Sequence, residues 1–173
     1  MFLFNRVLDR PLGRLNIKYS SRPPNVPDVL TKEEVSALLT HLNGDSLLIA
    51  KLAYGTGLRL MELLKLRIHD LDFGNSRIVV RDGKGEKDRV VPMPQTLKKP
   101  LKARVELSLQ QHELDLSAGY GSVWLPDALD RKYPNASKED GWQYLFPSKT
   151  LCKDPRSGIT RRHHIFPNTL QSA

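Results

Sequence analysis

Apolar residues at Val35, Leu38, Leu39 and Leu42 recur three and four positions apart, directly after Thr31-Lys32-Glu33-Glu34. A threonine followed three residues later by glutamate forms a capping box, so the spacing predicts an amphipathic helix starting there. The same period continues from Leu47 to Tyr54, where Gly55 and Gly57 are expected to end a second helix. A third is predicted from Leu58 to Leu66, with Leu60, Leu63, Leu64 and Leu66 facing the core. The pattern then shifts to β-branched runs. Ile78-Val79-Val80 and Val90-Val91 bracket the polar, glycine-bearing stretch "RDGKGEKDR", which predicts a hairpin or small antiparallel sheet. Helical spacing returns from Gln95 to about Leu116, with Pro100 tolerable in the first turns. Beyond it, "YGSVWLPDALDRKYPNASKEDGWQYLFPS" is rich in aromatics and proline and predicts only a short helix around Asp127 to Lys132. At the other end Phe2, Leu3, Val7 and Leu8 form an apolar face in residues 1–12, as at the end of an amphipathic helix. The three prolines of "SSRPPNVPD", Ser20 to Asp28, favour extended chain and predict a linker.

A chain of 173 residues is long enough for one domain with a core. Lys and Arg number 27 against 19 Asp and Glu, a formal charge of +8, which points to an anionic partner: nucleic acid, an acidic membrane surface or an acidic protein. Cys152 is the single cysteine, so one chain builds neither a disulfide framework nor a cysteine-based zinc site, and a reducing cytosol fits. The apolar start Met1-Phe2-Leu3-Phe4 is interrupted by Asn5 and Arg6, far short of a signal or spanning segment, so no membrane is expected among the partners. Between Arg81 and Arg104 eight basic residues face three acids, much of that excess on or beside the hairpin. A cationic hairpin tip can reach a phosphate backbone, and it can equally be a solvated turn.

Thr56-Gly57-Leu58-Arg59, with Glu62 three residues on, is followed by an acidic turn, "HDLD", and then by a hairpin bearing Gly83-Lys84-Gly85. This order resembles the catalytic domain of the tyrosine recombinases, the phage-integrase family. The resemblance implies that Arg59 binds the scissile phosphate and that Lys84 is the general acid to the departing 5′-hydroxyl. It implies an orienting role for Glu62 and DNA-backbone contacts for Lys87 and Arg89. A phosphodiester gains charge on its non-bridging oxygens during transfer, and a guanidinium fork meets two of them, so no metal or cofactor is expected.

"GYGSVWLPDALDRKYPNA" and "GWQYLFPSKTLCKDPRSGITRRHH" further resemble the integron integrase branch, whose members bind folded single-stranded attachment sites. By that resemblance Trp142 contacts one extrahelical base, and His163 and His164 with Pro155 hold another; Arg161 and Arg162 precede the histidines, where they are able to hold the DNA backbone on either side of a flipped base. Stacking on an unpaired base suits such side chains. Read from the residues alone, Trp142 also fits core packing beside Tyr144 and Phe146, and the histidine pair lacks a third metal ligand at helical spacing.

The resemblance fades after His164. The family's second arginine, in a His-x-x-Arg box, its later histidine and its nucleophilic tyrosine have no match here. "RRHH" has the wrong order, and Tyr19, Tyr54, Tyr120, Tyr133 and Tyr144 all come too early. The expectation is therefore an α+β, mostly helical fragment of a bacterial, cytoplasmic recombinase. Residues 1–19 would end a helical DNA-clamping domain, 20–30 would be the linker, and 31–173 would open the catalytic domain, with a branch-specific insertion at about 117–147. Its partners would be DNA hairpins and duplex, and other recombinase protomers. A non-catalytic protein that binds DNA hairpins, or a decayed gene product, stands beside that expectation.

Overall fold

Gly57 adopts φ +65°, and its N–H bonds to the Ala53 carbonyl at 2.9 Å, closing helix α2 (Gly44–Thr56). A side chain there would meet nothing within 4 Å, so the position calls for glycine because of its left-handed backbone alone. The predicted stop at Gly55 is corrected. That residue stays helical, and its lack of a side chain admits Pro94, whose Cγ would lie 2.8 Å from an added Cβ. The computed structural model describes residues 3–10, 28–81, 88–125 and 129–172. They fall into two units, Met1–Thr31 and Lys32–Ala173. In the first, the described residues include one wide helical turn, Leu3–Val7, with Phe4, Val7 and Leu8 exposed.

The second unit begins with α1 (Lys32–Thr40), which buries no residue fully; Val35 and Leu39 are half-buried and Leu38 is exposed. Helix α3 (Leu60–Leu64) is shorter than its predicted span, and its Leu63 and Leu64 enter the core with Leu66 just beyond. Strands β1 (Leu71–Asp72), β2 (Arg77–Val80) and β3 (Arg89–Pro92) form an antiparallel sheet in that order, pairing Ile78 with Val91 and Val80 with Arg89. Ile78 and Val80 point inward, as period-two alternation requires. The tip between β2 and β3 lies outside the described residues, and with it Lys84 and Lys87.

Helix α4 (Lys98–Ser117) carries Pro100 in its first turn and buries Leu101, Ser108, His112 and Asp115 along one face. The core joins Leu48, Ile49, Leu52, Leu63 and Leu64 to the sheet and to Leu101, Leu145 and Phe146. A second, smaller cluster of Val123, Leu125, Ala136 and Tyr144, with Leu129 and Trp142 against it, organises the region after α4 around the short helix α5 (Leu129–Lys132).

No sequence period announces the next element. Strands β4 (Pro147–Lys153) and β5 (Thr160–His164) make a two-stranded antiparallel ribbon, and α6 (Pro167–Gln171) closes the described chain. β5 reads "TRRHH", with no aliphatic residue to alternate, so periodicity could not reveal it. The turn between the strands is built locally: Gly158 donates to the Asp154 carbonyl at 2.8 Å, and the Arg156 N–H donates to Asp154 Oδ1 at 3.0 Å. The architecture is α+β. Among the described residues, no helix is long and apolar enough to cross a membrane.

Candidate nucleic-acid interface

Glu62, in the first turn of α3, accepts hydrogen bonds from two arginines. Arg89 at the start of β3 donates through both Nη atoms, at 2.8 and 2.7 Å, and Arg59 donates through its backbone N–H at 2.8 Å and Nη1 at 2.9 Å. Those bonds, Arg89's foremost, outweigh the cost of burial and lower the Glu62 carboxyl from 4.5 to about 2. The Glu62 side chain is 9% exposed and that of Arg59 is 59% exposed. The carboxylate is thus almost hidden while the arginine it holds faces solvent.

One turn further on, Arg67 is buried with its guanidinium between two segments of the region after α4. Nη1 donates to the Trp142 carbonyl at 2.5 Å and Nη2 to the Trp124 carbonyl at 2.7 Å. Its planar cation lies 4.7 Å from the Tyr144 ring centre and 5.5 Å from that of Trp142. The buried Asp70 organises the neighbouring groups: it accepts from the Arg67 backbone at 2.9 Å and from Arg81 Nε at 2.9 Å, with His69 Nε2 at 3.2 Å. Burial alone would raise its pKa, but these donors hold it below the usual value.

Glu62, Arg67, Asp70 and Arg81 line a cleft of about 330 Å³; Arg59 and Arg89 lie outside its lining. Trp124, Trp142, Tyr144, His163 and His164 give it aromatic and imidazole faces, and Lys65, Arg67, Arg81 and Arg156 give it positive charge; Glu62 and Asp70, both engaged with arginines, are its acids. His163 stacks on Tyr144 with ring centres 5.6 Å apart, and His164 meets the same ring edge-on at 5.4 Å. His164 Nδ1 donates to the Ile165 carbonyl at 2.8 Å. Burial lowers the pKa of both imidazoles, and the charge of His164 lowers that of His163 further, so neutral rings are favoured.

The predicted residues separate into distinct groups. Arg59, Glu62 and Arg89 come together in one network, and Trp142, His163 and His164 share the cleft. Trp142 also packs on the second cluster, so it joins the two roles that the residues alone left open. Pro155 is exposed in the ribbon turn. Arg161 and Arg162, expected beside a DNA backbone, are both engaged by groups of the protein itself. Arg161 is 5% exposed and donates to the Val123 carbonyl at 3.0 Å. Arg162 forks onto Asp115 at 2.5 and 2.7 Å and donates to the Ser148 carbonyl at 2.7 Å. Polar β5 is held in place by these bonds rather than by an apolar face. Sequence reasoning missed Arg67, Trp124, Tyr144 and Arg156 as cleft residues. The signal available was basic and aromatic residues interleaved from Tyr120 onward, but only folding shows which of them meet.

The profile of the phage integrase family matches residues 28–172. Proteins described as integrase/recombinase from Escherichia coli and Pseudomonas aeruginosa are each 41% identical over 174 residues, covering 100% of this chain and 52% of theirs. The chain thus spans about half the length of these curated relatives. Tyrosine recombinase XerA of Thermococcus onnurineus (strain NA1) is 47% identical over 92 residues, covering 49% of this chain and 33% of that protein. The crystal structure of XerA recombinase aligns at 37% identity with a TM-score of 0.44, over 51% of this chain and 33% of that one.

Proposed function

Because the chain belongs to the phage integrase family, we propose that it grips DNA for site-specific recombination, holding a backbone phosphate at Arg59 and an unpaired base in the aromatic cleft. The observation that carries this reading is the cleft itself, in which flat rings and cations share one surface. Stacking on a base needs a π-face, and a phosphate needs an exposed fork of donors. Arg59 fits the second need: Glu62 fixes one side of its guanidinium while more than half of the side chain faces solvent. During transfer such a fork stabilises charge gathering on the non-bridging oxygens. Arg89 anchors the root of β3 to the same carboxylate, beneath the hairpin whose Lys84 would supply the leaving-group proton.

The finer reading follows the integron branch: folded single-stranded attachment sites as substrate, with Trp142 on one extrahelical base and His163 and His164 on another. Tyr144 stacks inside the cleft, and burial pushes its phenol pKa up, an environment opposed to a nucleophile.

A mobility-shift titration tests it, using a DNA hairpin with one extrahelical base and a fully matched duplex. The hairpin should bind more tightly by about 1–3 kcal/mol, the worth of a stacked base. Both affinities should fall steeply from low to physiological salt, and Arg59→Ala should weaken both alike, since a phosphate contact carries no sequence or pairing information. Equal affinity for the two DNAs would remove the base from the cleft, and salt-independent binding would remove the phosphate from Arg59.

A further inference from the structure

Val123 and Leu125 are each 2% exposed and turn into the second core cluster. Extended chain sends alternate side chains to opposite sides, so Trp124 between them is turned outward, where it lines the cleft. Its carbonyl is fixed by Arg67 Nη2 at 2.7 Å, so the backbone that presents the indole is anchored to the buried guanidinium. The Arg156 guanidinium lies 4.7 Å over the indole ring. Arg156 is exposed and sits in the turn between β4 and β5, with Asp154 an acid that feels its charge. An indole face covered by an exposed guanidinium is chemically complementary to one nucleotide: a flat base for the ring and a phosphate for the guanidinium.

We infer that Trp124 and Arg156 form a second nucleotide subsite in the cleft, distinct from Trp142 and the histidine pair. On binding, Arg156 leaves the indole for the nucleotide's phosphate, and the exposed ring stacks on its base. The exchange is favourable because an exposed cation–π contact is weak beside a charge-assisted fork on phosphate. The inference rests on the reading that the cleft takes unpaired DNA, and adds a residue pair that neither the family pattern nor the sequence periodicity singles out.

The protein has two tryptophans, Trp124 and Trp142, and both line the cleft. Each can therefore be observed alone in the full chain. In the Trp142→Phe protein all tryptophan emission comes from Trp124, and in Trp124→Phe it all comes from Trp142, while phenylalanine preserves an aromatic surface. Titration with a hairpin carrying two unpaired bases should quench Trp124 emission, and matched duplex should leave it unchanged. Trp124→Leu should weaken hairpin binding by about 5- to 150-fold, the range for one stacked base. Arg156→Ala should lower the salt slope of hairpin binding by about 1. If Trp142 is quenched and Trp124 is not, the second subsite is refuted while base capture stands. If neither is quenched, base capture itself fails. Quenching of Trp124 by matched duplex to the same extent would also overturn the assignment, as would an unchanged salt slope for Arg156→Ala.

Discussion

Replacing Glu62 by glutamine removes the negative charge on which Arg59 and Arg89 converge while keeping the side chain's size. Holding the carboxyl at about 2 rather than 4.5 corresponds to about 3 kcal/mol of linked stability at neutral pH, at 1.36 kcal/mol for each unit. The Arg59 and Arg89 side chains are 59% and 35% exposed, so solvent screens both pairs and about half of that, ~1.5 kcal/mol, is expected to survive. The sign follows from a folded-state pKa below the unfolded one. The contribution is fully present above pH 4.5 and is lost as pH falls from there towards about 2. Urea unfolding of parent and Glu62→Gln at pH 7 should therefore differ by ~1.5 kcal/mol, with the gap closing as both are taken into acid. Asp70, Asp72 and Asp154 also have lowered carboxyls and titrate in both proteins, so the difference between the two curves isolates Glu62. Equal stabilities at pH 7, or parallel acid profiles, would refute the view that Glu62 is the anchor of the two arginines.

Other changes follow from individual contacts. Arg67→Met removes two charge-assisted hydrogen bonds, to the Trp124 and Trp142 carbonyls, and should destabilise the protein by about 3 kcal/mol in urea; a loss under about 1 kcal/mol would mean that the guanidinium does not staple these segments. Gly57→Ala must adopt φ +65° and should cost about 1–2 kcal/mol, although no neighbour would be touched, and an unchanged thermal midpoint would contradict the left-handed stop after α2. His163 and His164 have folded pKa values below 6.5, so their contribution to stability is present above that pH and lost as pH falls through the folded values. The nearby charges divide: Arg156 and Arg67 disfavour protonation of His163 while Asp154 favours it, and Lys65 and Arg67 disfavour protonation of His164. A His163→Ala/His164→Ala protein should show a flatter denaturant midpoint between pH 7 and 5 than the parent, and equal slopes would contradict the neutral, buried placement.

Most helices and the first sheet are legible in the sequence because their apolar faces carry the periods of their own geometry. α2 buries Leu48, Ile49 and Leu52 at helical spacing, and β2 turns Ile78 and Val80 inward, whereas the buried face of α4 is mostly polar. Helix ends were less legible. Glycine alone suggests a stop at Gly55, yet the helix runs through it, and the glycine there leaves room for Pro94, nearly forty residues away in sequence. The β4–β5 ribbon was not legible. Arg161 and Arg162 bond to Val123, Ser148 and Asp115, contacts that no sequence period announces. At the candidate site, Arg59 and Glu62 were visible as neighbours on one turn, and Trp142, His163 and His164 through resemblance. Trp124 and Arg67 were hidden because their roles depend on two segments, more than fifty residues apart, meeting at one guanidinium.

The claim that the cleft holds an unpaired base is tested most directly with a fluorescent adenine analogue placed at the extrahelical position of a DNA hairpin. Saturating protein should change the analogue's emission as it passes from solvent to a stack of protein rings, and the same analogue inside a matched duplex should show no change. The His163→Ala/His164→Ala protein should bind that hairpin more weakly by about 1–3 kcal/mol while its affinity for duplex stays nearly intact. Emission that does not change on binding, or that changes equally in hairpin and duplex, would contradict the account.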